Sequence, residues 1–433
     1  MTGPAKGTIA ASTAVLLCAL YFAQGLPYGF FTQALPVVLR ESGLSLTQIS
    51  ATGVLFAPWA LKFLWAPYVD RYGTRRRWLL TLQLAAAALA LVMASLDLSG
   101  SLRWLLVGIA VMNLISATQD VATDGLAVRL LGYRGKGIGN GIQVGAYRIG
   151  MIVGGGGLLW LLTLSGWRGL FIVMSGLILL CTLPVWWLRE PTPTAHPAPN
   201  ARAAQTTEPA PTAAEAPGLA RMAAGWWTRL RRPGMAVFIL LIGAYKFGDS
   251  MGSALVGPFM VDSGLTVAQI ALIKGALSSA AALGGAALGG WLAYRLGRRN
   301  ALLLTGVAQT ISLALYLFAS LGIGGFALIV TASLAEHVLG GAATVALFTL
   351  MMDASERDHA GSDYTLLACA IVLVQGVAGI TGGVIGDLFG YPTMFATSFV
   401  LSGLGCAALV IALGRGVGPA GVREVIDRRR QRA

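Results

Sequence analysis

Two short stretches decide the fold: residues 41–49 read ESGLSLTQI, and residues 262–270 read DSGLTVAQI. The two copies match at an offset of 221 residues, and each follows an apolar segment long enough to cross a membrane. A second pair of matching stretches follows further along each half, at residues 72–76 (YGTRR) and 296–299 (LGRR). Two matches at equivalent positions predict a chain built from two homologous halves.

The composition of the chain indicates a membrane protein. Of its 433 residues, 56% are hydrophobic and 11% are charged, and the mean hydropathy is +0.72. A soluble domain carries about 25% charged residues, because its surface needs polar cover. Apolar runs of about 20 residues, the length of a membrane-spanning helix, recur along the chain. Barrel strands would show short alternating segments, which are not evident. We therefore expect an all-α membrane protein.

The apolar runs divide into twelve predicted helices, six in each half. Their approximate bounds are 9–38, 46–69, 78–97, 102–131, 141–164, 168–189, 234–261, 267–293, 300–320, 325–353, 362–387 and 391–413. The first run is too long for a signal peptide and lacks a cleavage site, so we expect it to remain as the first helix. The predicted domains are an N-terminal six-helix bundle (1–189), a cytoplasmic linker (190–232), a C-terminal six-helix bundle (233–414) and a basic cytoplasmic tail (415–433).

The linker has a composition of its own. Residues 191–217 are rich in Pro, Ala and Thr, which cannot bury enough apolar surface to fold. Residues 222–232 combine Trp226 and Trp227 with three arginines. This mixture is typical of a short helix lying at the membrane interface. A simple anchor in front of the seventh helix is the alternative interpretation.

The basic residues are distributed unevenly, which predicts the orientation. With the N-terminus inside, only three of 31 Lys and Arg residues fall in outer loops, four lie within predicted helices, and 24 lie on the inner side. These seven exceptions are Arg40, Arg103 and Arg168, and Lys62, Arg148, Lys246 and Lys274. An inner excess of Lys and Arg sets topology. We expect both termini in the cytoplasm, the chain in the cell inner membrane, contact with anionic lipids, and no nucleic-acid partner despite the net charge of +13.

The loop after the second predicted helix resembles a known motif. Residues 70–77 read DRYGTRRR, which is similar to the D-R-x-G-R-R loop of the major facilitator superfamily. The resemblance implies a charge latch made of Asp70, Arg71, Arg75 and Arg76, in which the acid faces the positive end of a neighbouring helix. An ordinary basic loop is the alternative. The second-half copy at residues 295–299 lacks the acid, so we expect its latch to be absent or reduced.

Three further stretches narrow the resemblance to one branch of that superfamily. Residues 24–28 (QGLPY), 61–67 (LKFLWAP) and 117–125 (ATQDVATDG) resemble the branch that holds AmpG-type muropeptide permeases, the acetyl-CoA transporter and bacterial siderophore permeases. The resemblance implies two six-helix bundles and proton-driven uptake of a bulky, polar, often anionic solute. The motifs are specific for the branch and not for a solute. Twelve helices are predicted, without the extra pair found in some muropeptide permeases, so the resemblance does not single out a muropeptide.

Ionisable residues at membrane depth are the candidate functional residues, since each costs roughly 2.5–3.5 kcal/mol to insert and is functional by default. In this architecture helices 1, 4, 7 and 10 line the central cavity. The candidates for the substrate and proton pathway are Gln24, Tyr28, Asp120, Asp124, Lys246, Asp249, Glu336 and His337. The candidates for the charge network and gating are Lys62, Asp70, Arg71, Arg75, Arg76, Arg148 and Lys274.

In the first half, depth along the helices predicts one cluster of Lys62, Asp120, Asp124 and Arg148. Two acids balance two bases, which lowers the cost of burial. One Asp could take up a proton and release its basic partner during transport. Alternatively, the four residues form a permanent salt-bridge network. We favour the network for Asp124 with Arg148 and the functional role for Asp120.

In the second half, Lys246 either binds an acidic group of the solute or simply pairs with Asp249, three residues away. Glu336 is the candidate proton carrier, because desolvation disfavours its charged form. His337 is expected to point about 100° away from Glu336 and serves as a packing hydrogen bonder or a proton relay. Lys274 is expected at a depth similar to that of Glu336.

These patterns predict a secondary active transporter that works by alternating access, with proton symport as the coupling. Efflux of drugs or metabolites within the same fold is one alternative, and a membrane enzyme or sensor, such as an acyltransferase, is another. No Walker A sequence, catalytic constellation or metal-ligand spacing is present. We therefore expect no enzyme activity, no cofactor and no metal. The expected partners are a small-molecule solute, protons and membrane lipids, with the chain acting as a monomer.

Overall fold

The computed structural model describes residues 11–96, 101–130, 136–188, 227–355 and 360–430, and every regular element within these ranges is helical. The predicted all-α class is confirmed. The helices, numbered along the chain, are α1 (Ala11–Glu41), α2 (46–71), α3 (Arg75–Ser95), α4 (Leu102–Leu130), α5 (136–165), α6 (167–186), α7 (Met235–Asp262), α8 (Val267–Arg295), α9 (Arg298–Ser320), α10 (Gly325–Ala354), α11 (360–389), α12 (391–414) and α13 (Ala420–Arg430).

The number of membrane spans follows from two glycines and one irregular helix. Among the described residues, nine helical segments are long and apolar enough to cross a membrane. Two of them, of 42 and 52 residues, far exceed the roughly 20 residues of one span. Each is broken by a glycine with positive φ and extended ψ, Gly166 (φ 64, ψ −169) and Gly390 (φ 79, ψ 169), a conformation open to glycine alone. With these two divisions and the irregular α2, the described chain accommodates the twelve predicted helices.

The two copies of the sequence repeat fold alike. Each begins with a glycine turn at positive φ, at Gly43 (φ 82) and Gly264 (φ 83). Each then starts a helix with a capping box, in which Ser45 or Thr266 and the glutamine three residues later satisfy each other's backbone amides. The same local chemistry therefore begins α2 and α8, as expected for a duplicated chain.

The helices pair in the same way in both halves. In the first half α1 packs along α5 and α3 packs along α6; in the second half α7 packs against the α11–α12 segment, and α9 also packs against it. α8 lies along α10. Glycines allow the close approach, since a Cβ at Gly285 of α8 would lie 2.0 Å from the carbonyl oxygen of Val338 in α10. Small residues at such crossings let backbones meet in a membrane.

The apolar core is continuous at one end of the bundle and divided at the other. At the end predicted to face outward, called the predicted outer end, one buried cluster contains Phe30 and Phe171 of the first half together with Phe259 and Phe395 of the second. Towards the predicted inner end, the larger buried clusters belong to one half each. The halves are therefore packed together at the predicted outer end of the described chain.

Several predictions lie wholly or partly outside the described residues. The domain boundaries stay predictions, because residues 189–226 are not described. Of the predicted interfacial helix, only residues from Trp227 onward are described: 227–230 form one helical turn, and Arg231 lies 4.7 Å from the centre of the exposed Trp227 ring. The side chains of Asp70 and Arg71 also lie outside the described set.

The glycine crossing of α8 and α10 yields a matched pair of variants. We expect Gly285→Ala to destabilise the protein by about 1–3 kcal/mol, because its Cβ would overlap backbone. Gly284→Ala is the control: a Cβ there meets nothing within 4 Å, and alanine favours a helix by up to about 1 kcal/mol. Thermal unfolding of the purified proteins in detergent measures both effects. Equal melting temperatures for the two variants would contradict the described crossing.

Candidate functional site

The candidate residues of the first half meet where α4 faces α1 and α2. Tyr21 Oη of α1 donates a hydrogen bond to Asp124 Oδ1 at 3.0 Å. One turn further along α1, Gln24 Nε2 donates to Thr123 Oγ1 at 2.8 Å. These two contacts tie α1 to α4 through polar groups in the interior of the bundle, where an unmatched polar group is costly.

Lys62 and Asp120 form an ion pair between α2 and α4. α2 is locally a 3₁₀ helix at Lys62–Leu64, and the ammonium group also lies 5.5 Å from the centre of the Trp59 ring. The side chains remain 22% and 11% exposed, respectively. The pair is thus partly desolvated, which strengthens its attraction relative to a surface ion pair.

The predicted four-residue cluster is only partly brought together. Asp124 lies one turn from Asp120 on α4, but its described hydrogen-bond partner is Tyr21 and not Arg148. Arg148 is half-buried on α5 and forms no hydrogen bond or salt bridge with any residue that the structure describes. The expected Asp124–Arg148 pair is therefore not found. The two carboxylates on α4, Asp120 and Asp124, therefore have one paired cation near them, Lys62.

Tyr28 belongs to an aromatic cluster that lines the same region. Its ring centre lies 5.9 Å from that of Phe56, 5.8 Å from that of Trp59 and 5.5 Å from that of Tyr147. The cluster joins α1, α2 and α5 and borders the Lys62–Asp120 pair through Trp59. Tyr28 is thus placed by ring packing beside the charged groups.

In the second half, a polar strip runs between α7 and α10. Lys246 pairs with Asp249 on α7 and donates to Thr344 Oγ1 of α10 at 3.0 Å. Further along the same face, Ser253 Oγ donates to Glu336 Oε1 at 2.6 Å. The spacings on α7 keep these side chains on one face of the helix. The sequence left open whether Lys246 binds the solute or pairs with Asp249. In the structure it pairs with Asp249.

Gly340 separates the two carboxylates of this strip. A Cβ at Gly340 would lie 3.7 Å from Asp249 Oδ1 and 3.8 Å from Glu336 Oε1. Asp249 Oδ1 is buried and has no hydrogen-bond partner among the residues that the structure describes. The absence of a side chain at Gly340 therefore allows two acids to lie near each other in the interior.

His337 does not point away from Glu336, and that expectation was wrong. His337 Nδ1 lies 2.6 Å from Glu336 Oε2 and 2.9 Å from the carbonyl oxygen of Ser333. The two Cα–Cβ bonds diverge by about 100°, but the glutamate side chain is long enough to turn back towards the ring. The imidazole and the carboxylate are thus in close contact, while the hydrogen bond of Nδ1 is to the Ser333 carbonyl oxygen.

The two halves are joined at the predicted outer end by carboxylates that the sequence analysis missed. Asp262 of α7 accepts hydrogen bonds from Arg40 of α1, with Nη2 2.6 Å from Oδ2, and from Tyr391 Oη at 2.7 Å. Asp387 of α11 accepts from the backbone amides of Leu46 at 2.8 Å and Thr47 at 2.7 Å. The second contact places an acid at the positive N-terminus of α2. An acid next to the repeated SGL turn was the available signal for Asp262.

At the predicted inner end, the second half has a charge contact that we expected to be absent or reduced. Arg298 Nε at the start of α9 lies 2.5 Å from Asp353 Oδ2 at the end of α10. The acid missing from the loop is supplied by another helix, which the motif could not reveal. In the first half, Arg75 is buried beside Gly125, and Arg76 donates to the carbonyl oxygen of Trp186 at 2.7 Å.

A helical membrane bundle of two matching halves, with ionisable groups held between its central helices, is the architecture of a multi-pass transport protein. The chain belongs to the Major Facilitator Superfamily, whose family model matches residues 17–371.

Two comparisons with curated proteins support this assignment. The chain is 28% identical over 403 residues to the anhydromuropeptide permease of Escherichia coli (strain K12), covering 92% of this chain and 79% of that protein. It is 24% identical over 388 residues to putative transporter AmpG 4 of Rickettsia conorii (strain ATCC VR-613 / Malish 7), covering 87% of this chain and 91% of the relative.

Solved structures show the same fold at low sequence identity. The D-xylose–proton symporter superposes with a TM-score of 0.68 at 14% identity, covering 96% of this chain and 99% of that one. A bacterial homologue of the human lysosomal transporter Spinster, in an inward-facing and unoccupied conformation, gives a TM-score of 0.64 at 16% identity, with 97% and 98% coverage.

The Arg40–Asp262 contact can be tested by exchanging its charges. We expect Arg40→Asp to separate the halves at the predicted outer end, because two acids would then face each other. Restoring the pair with Asp262→Arg in the same chain should bring the halves together again. A partly exposed pair is worth up to about 1 kcal/mol, so the closed population should fall up to roughly fivefold in the single variant.

Spin labels on Arg103 of α4 and Phe326 of α10, both exposed, report the separation without touching the pair. Electron-electron distance measurements on the two variants then give the open fraction. Identical distance distributions for the native pair and the single reversal would show that the contact does not hold this end closed.

Proposed function

We propose that the protein is a proton-coupled symporter that takes up a bulky polar or anionic solute, muropeptide-like or siderophore-like, across the cell inner membrane. The observation that carries the proposal is the pair of acids on α4, Asp120 and Asp124, which share one paired lysine. An excess carboxylate in a partly desolvated site is favoured in its protonated form. Proton uptake by this pair of acids therefore depends on the charges and the water around it.

The relatives support the class of solute. The E. coli relative is an anhydromuropeptide permease, and similarity at 28% identity across most of both chains makes a solute of that chemistry the first to test. The resemblance of the sequence motifs to a branch with siderophore permeases keeps ferric chelates as the second. The resemblance implies that solutes of this branch are bulky, polar and often anionic.

The packing of the two halves supports alternating access. The shared core and the Arg40–Asp262 and Asp387 contacts close the predicted outer end, whereas the larger cores at the predicted inner end belong to single halves. This arrangement corresponds to a state closed outward. Rocking of one half against the other would break the outer contacts and admit solute from outside. The distribution of basic residues, from which the outer and inner ends are assigned, places both termini in the cytoplasm in this proposal.

Asp124 is the group that we assign to proton uptake in the first half. Asp120 is neutralised by Lys62, whereas Asp124 receives one hydrogen bond from a neutral tyrosine. A second negative charge one turn away from Asp120 is unfavourable, so Asp124 binds a proton more readily. This reverses the preference based on the sequence, which paired Asp124 with Arg148 and gave the functional role to Asp120. Glu336 with His337 forms the corresponding site of the second half.

Substitution of Asp124 tests proton coupling. We expect Asp124→Asn to abolish accumulation of anhydromuropeptide driven by an imposed pH gradient, while exchange of labelled for unlabelled solute continues, because only the proton site is lost. Tyr21→Phe should have a smaller effect in the same direction. Proteoliposome uptake measures both, with exposed Glu41→Gln as the control. Gradient-driven accumulation at the level of the unaltered protein in Asp124→Asn would reject the assignment.

The direction of transport forms a separate test. Uptake predicts that an inward proton gradient drives solute into right-side-out vesicles and that the opposite gradient drives it out of them. An efflux transporter would couple solute export to proton entry, so the same inward gradient would empty these vesicles. Radiolabelled anhydromuropeptide distinguishes the two directions. Proton-driven emptying of the vesicles would show that the protein is an efflux transporter and contradict the proposed uptake.

A further inference from the structure

Lys274 is a buried cation whose ammonium group makes no direct contact with an acid in the part of the chain that the structure describes. It lies on α8 in a π-helical segment, Ala271–Leu277, and only 5% of the residue is exposed. It forms no hydrogen bond or salt bridge with any residue in the described ranges. Its charge interacts at a distance with Glu336, but that carboxylate is already in contact with Ser253 and His337. An ammonium group in the interior without a directly bonded acid is unfavourable. Such a group is retained where something compensates it during function.

The other basic residues within the spans differ from Lys274. Lys62 is paired with Asp120, and Lys246 is paired with Asp249. Arg148 is half-buried, so water can still reach it. Lys274 therefore combines burial with the lack of a directly bonded acid among the described residues.

Its ammonium group lies at the seam between the two halves. A Cβ at Gly257 of α7 would lie 3.2 Å from Lys274 Nζ and 3.1 Å from Cγ2 of Val37 in α1. The residue next to Lys274, Gly275, approaches Gly156 of α5 so closely that its Cβ would lie 2.3 Å from the Cα of Gly156. The Gly257–Val37 contact and the Gly275–Gly156 contact cross from the second half to the first. A ligand bound to Lys274 would therefore lie at the interface of the two halves.

Because the Lys274 ammonium group lies beside Gly257 of α7, its depth can be compared with that of the polar strip and of the contacts at the predicted outer end. Gly257 lies four residues after Ser253, which binds Glu336, so the ammonium group and that carboxylate meet α7 at positions about 6 Å apart along its axis. Asp262, which holds Arg40, follows about one and a half turns further on. Lys274 thus lies between the buried acids and the contacts that close the predicted outer end.

We propose that Lys274 binds an acidic group of the transported solute, a carboxylate or a phosphate. The inference rests on the proposed function, since it names the side chain that recognises the anionic part of the solute. An oxyanion at Lys274 compensates its charge and lies directly beneath the closed end, where it contacts the seam. A π-helical turn frequently occurs at functional sites, because it displaces one residue from the regular register. Here the displaced segment carries the lysine.

The first experiment measures the local potential without any solute. In a chain with its four cysteines replaced, Ser253→Cys introduces a thiol at a half-buried position one turn from Gly257. Its reaction rates with an anionic and a cationic methanethiosulfonate reagent are compared with and without Lys274→Gln. We expect the ratio of anionic to cationic rate to fall about fivefold or more when the charge is removed. An unchanged ratio would overturn the proposal.

The second experiment tests recognition of the acidic group. Thermal stabilisation of the purified full chain is measured with anhydromuropeptide and with the same molecule after its carboxylates are converted to amides. We expect the unaltered protein to favour the acidic form at least about tenfold in affinity, a typical effect of one charge-assisted contact. Lys274→Gln should lose this preference while still binding the amide, and Lys274→Arg should keep part of it.

The outcomes separate this inference from the proposed function. If neither form stabilises the unaltered protein, the muropeptide-like solute is wrong, and the thiol rates alone decide on Lys274. A structural role predicts that Lys274→Gln and Lys274→Met melt at lower temperature without solute and lose both forms equally, and this result would overturn the proposal. Removal of an unpaired buried charge predicts an unchanged or higher melting temperature instead.

Discussion

Every ionisable side chain at membrane depth must be paired, hydrated or neutral, and this constraint governs the arrangement of the central helices. Lys62 and Lys246 each meet an aspartate, and Glu336 meets a serine and a histidine. These partners come from a neighbouring helix or from one turn away, except His337, which is next to Glu336 in the sequence. The same contacts that make the charges tolerable also fix how α1, α2 and α4, and α7 and α10, face each other. Burial of charge thus positions the site and holds the helices around it.

The fold could be predicted largely from local signals. A capping box and a glycine at positive φ act within a few residues, so the repeated SGL turn identified the start of α2 and α8 in both halves. Helix bounds were less accurate where backbone geometry departs from the α-helix. α2 is a series of short α and 3₁₀ pieces, and the junctions at Gly166 and Gly390 contain a single non-helical residue. Apolar periodicity carries no signal for such changes.

The candidate site was predicted by helix and depth but not by partner. Helical spacing places Asp120 and Asp124 on one face of α4, and it cannot state whether Tyr21 or Arg148 lies opposite. The same limit applies to Asp353, which supplies the acid absent from the second-half loop, and to Asp387, which caps a helix of the other half. Such contacts join residues that are distant in sequence. They depend on rotation and tilt of whole helices, which packing across the entire bundle decides.

The seam between the halves has little side-chain packing at its centre. At its centre, α5 meets α8 through Gly156 and Gly275, and Gln33 of α1 donates to Ser279 Oγ at 3.2 Å. Each of the three helices is π-helical near this point. Contacts between glycine backbones bury little apolar side-chain area, so their loss costs little. The shared apolar cluster and the ion pairs at the predicted outer end then contribute most of the energy that keeps this end closed. Because those pairs are partly exposed, water replaces them readily when the halves part. A carrier needs this balance, since a seam with interlocked side chains would hold one state too strongly for repeated cycles.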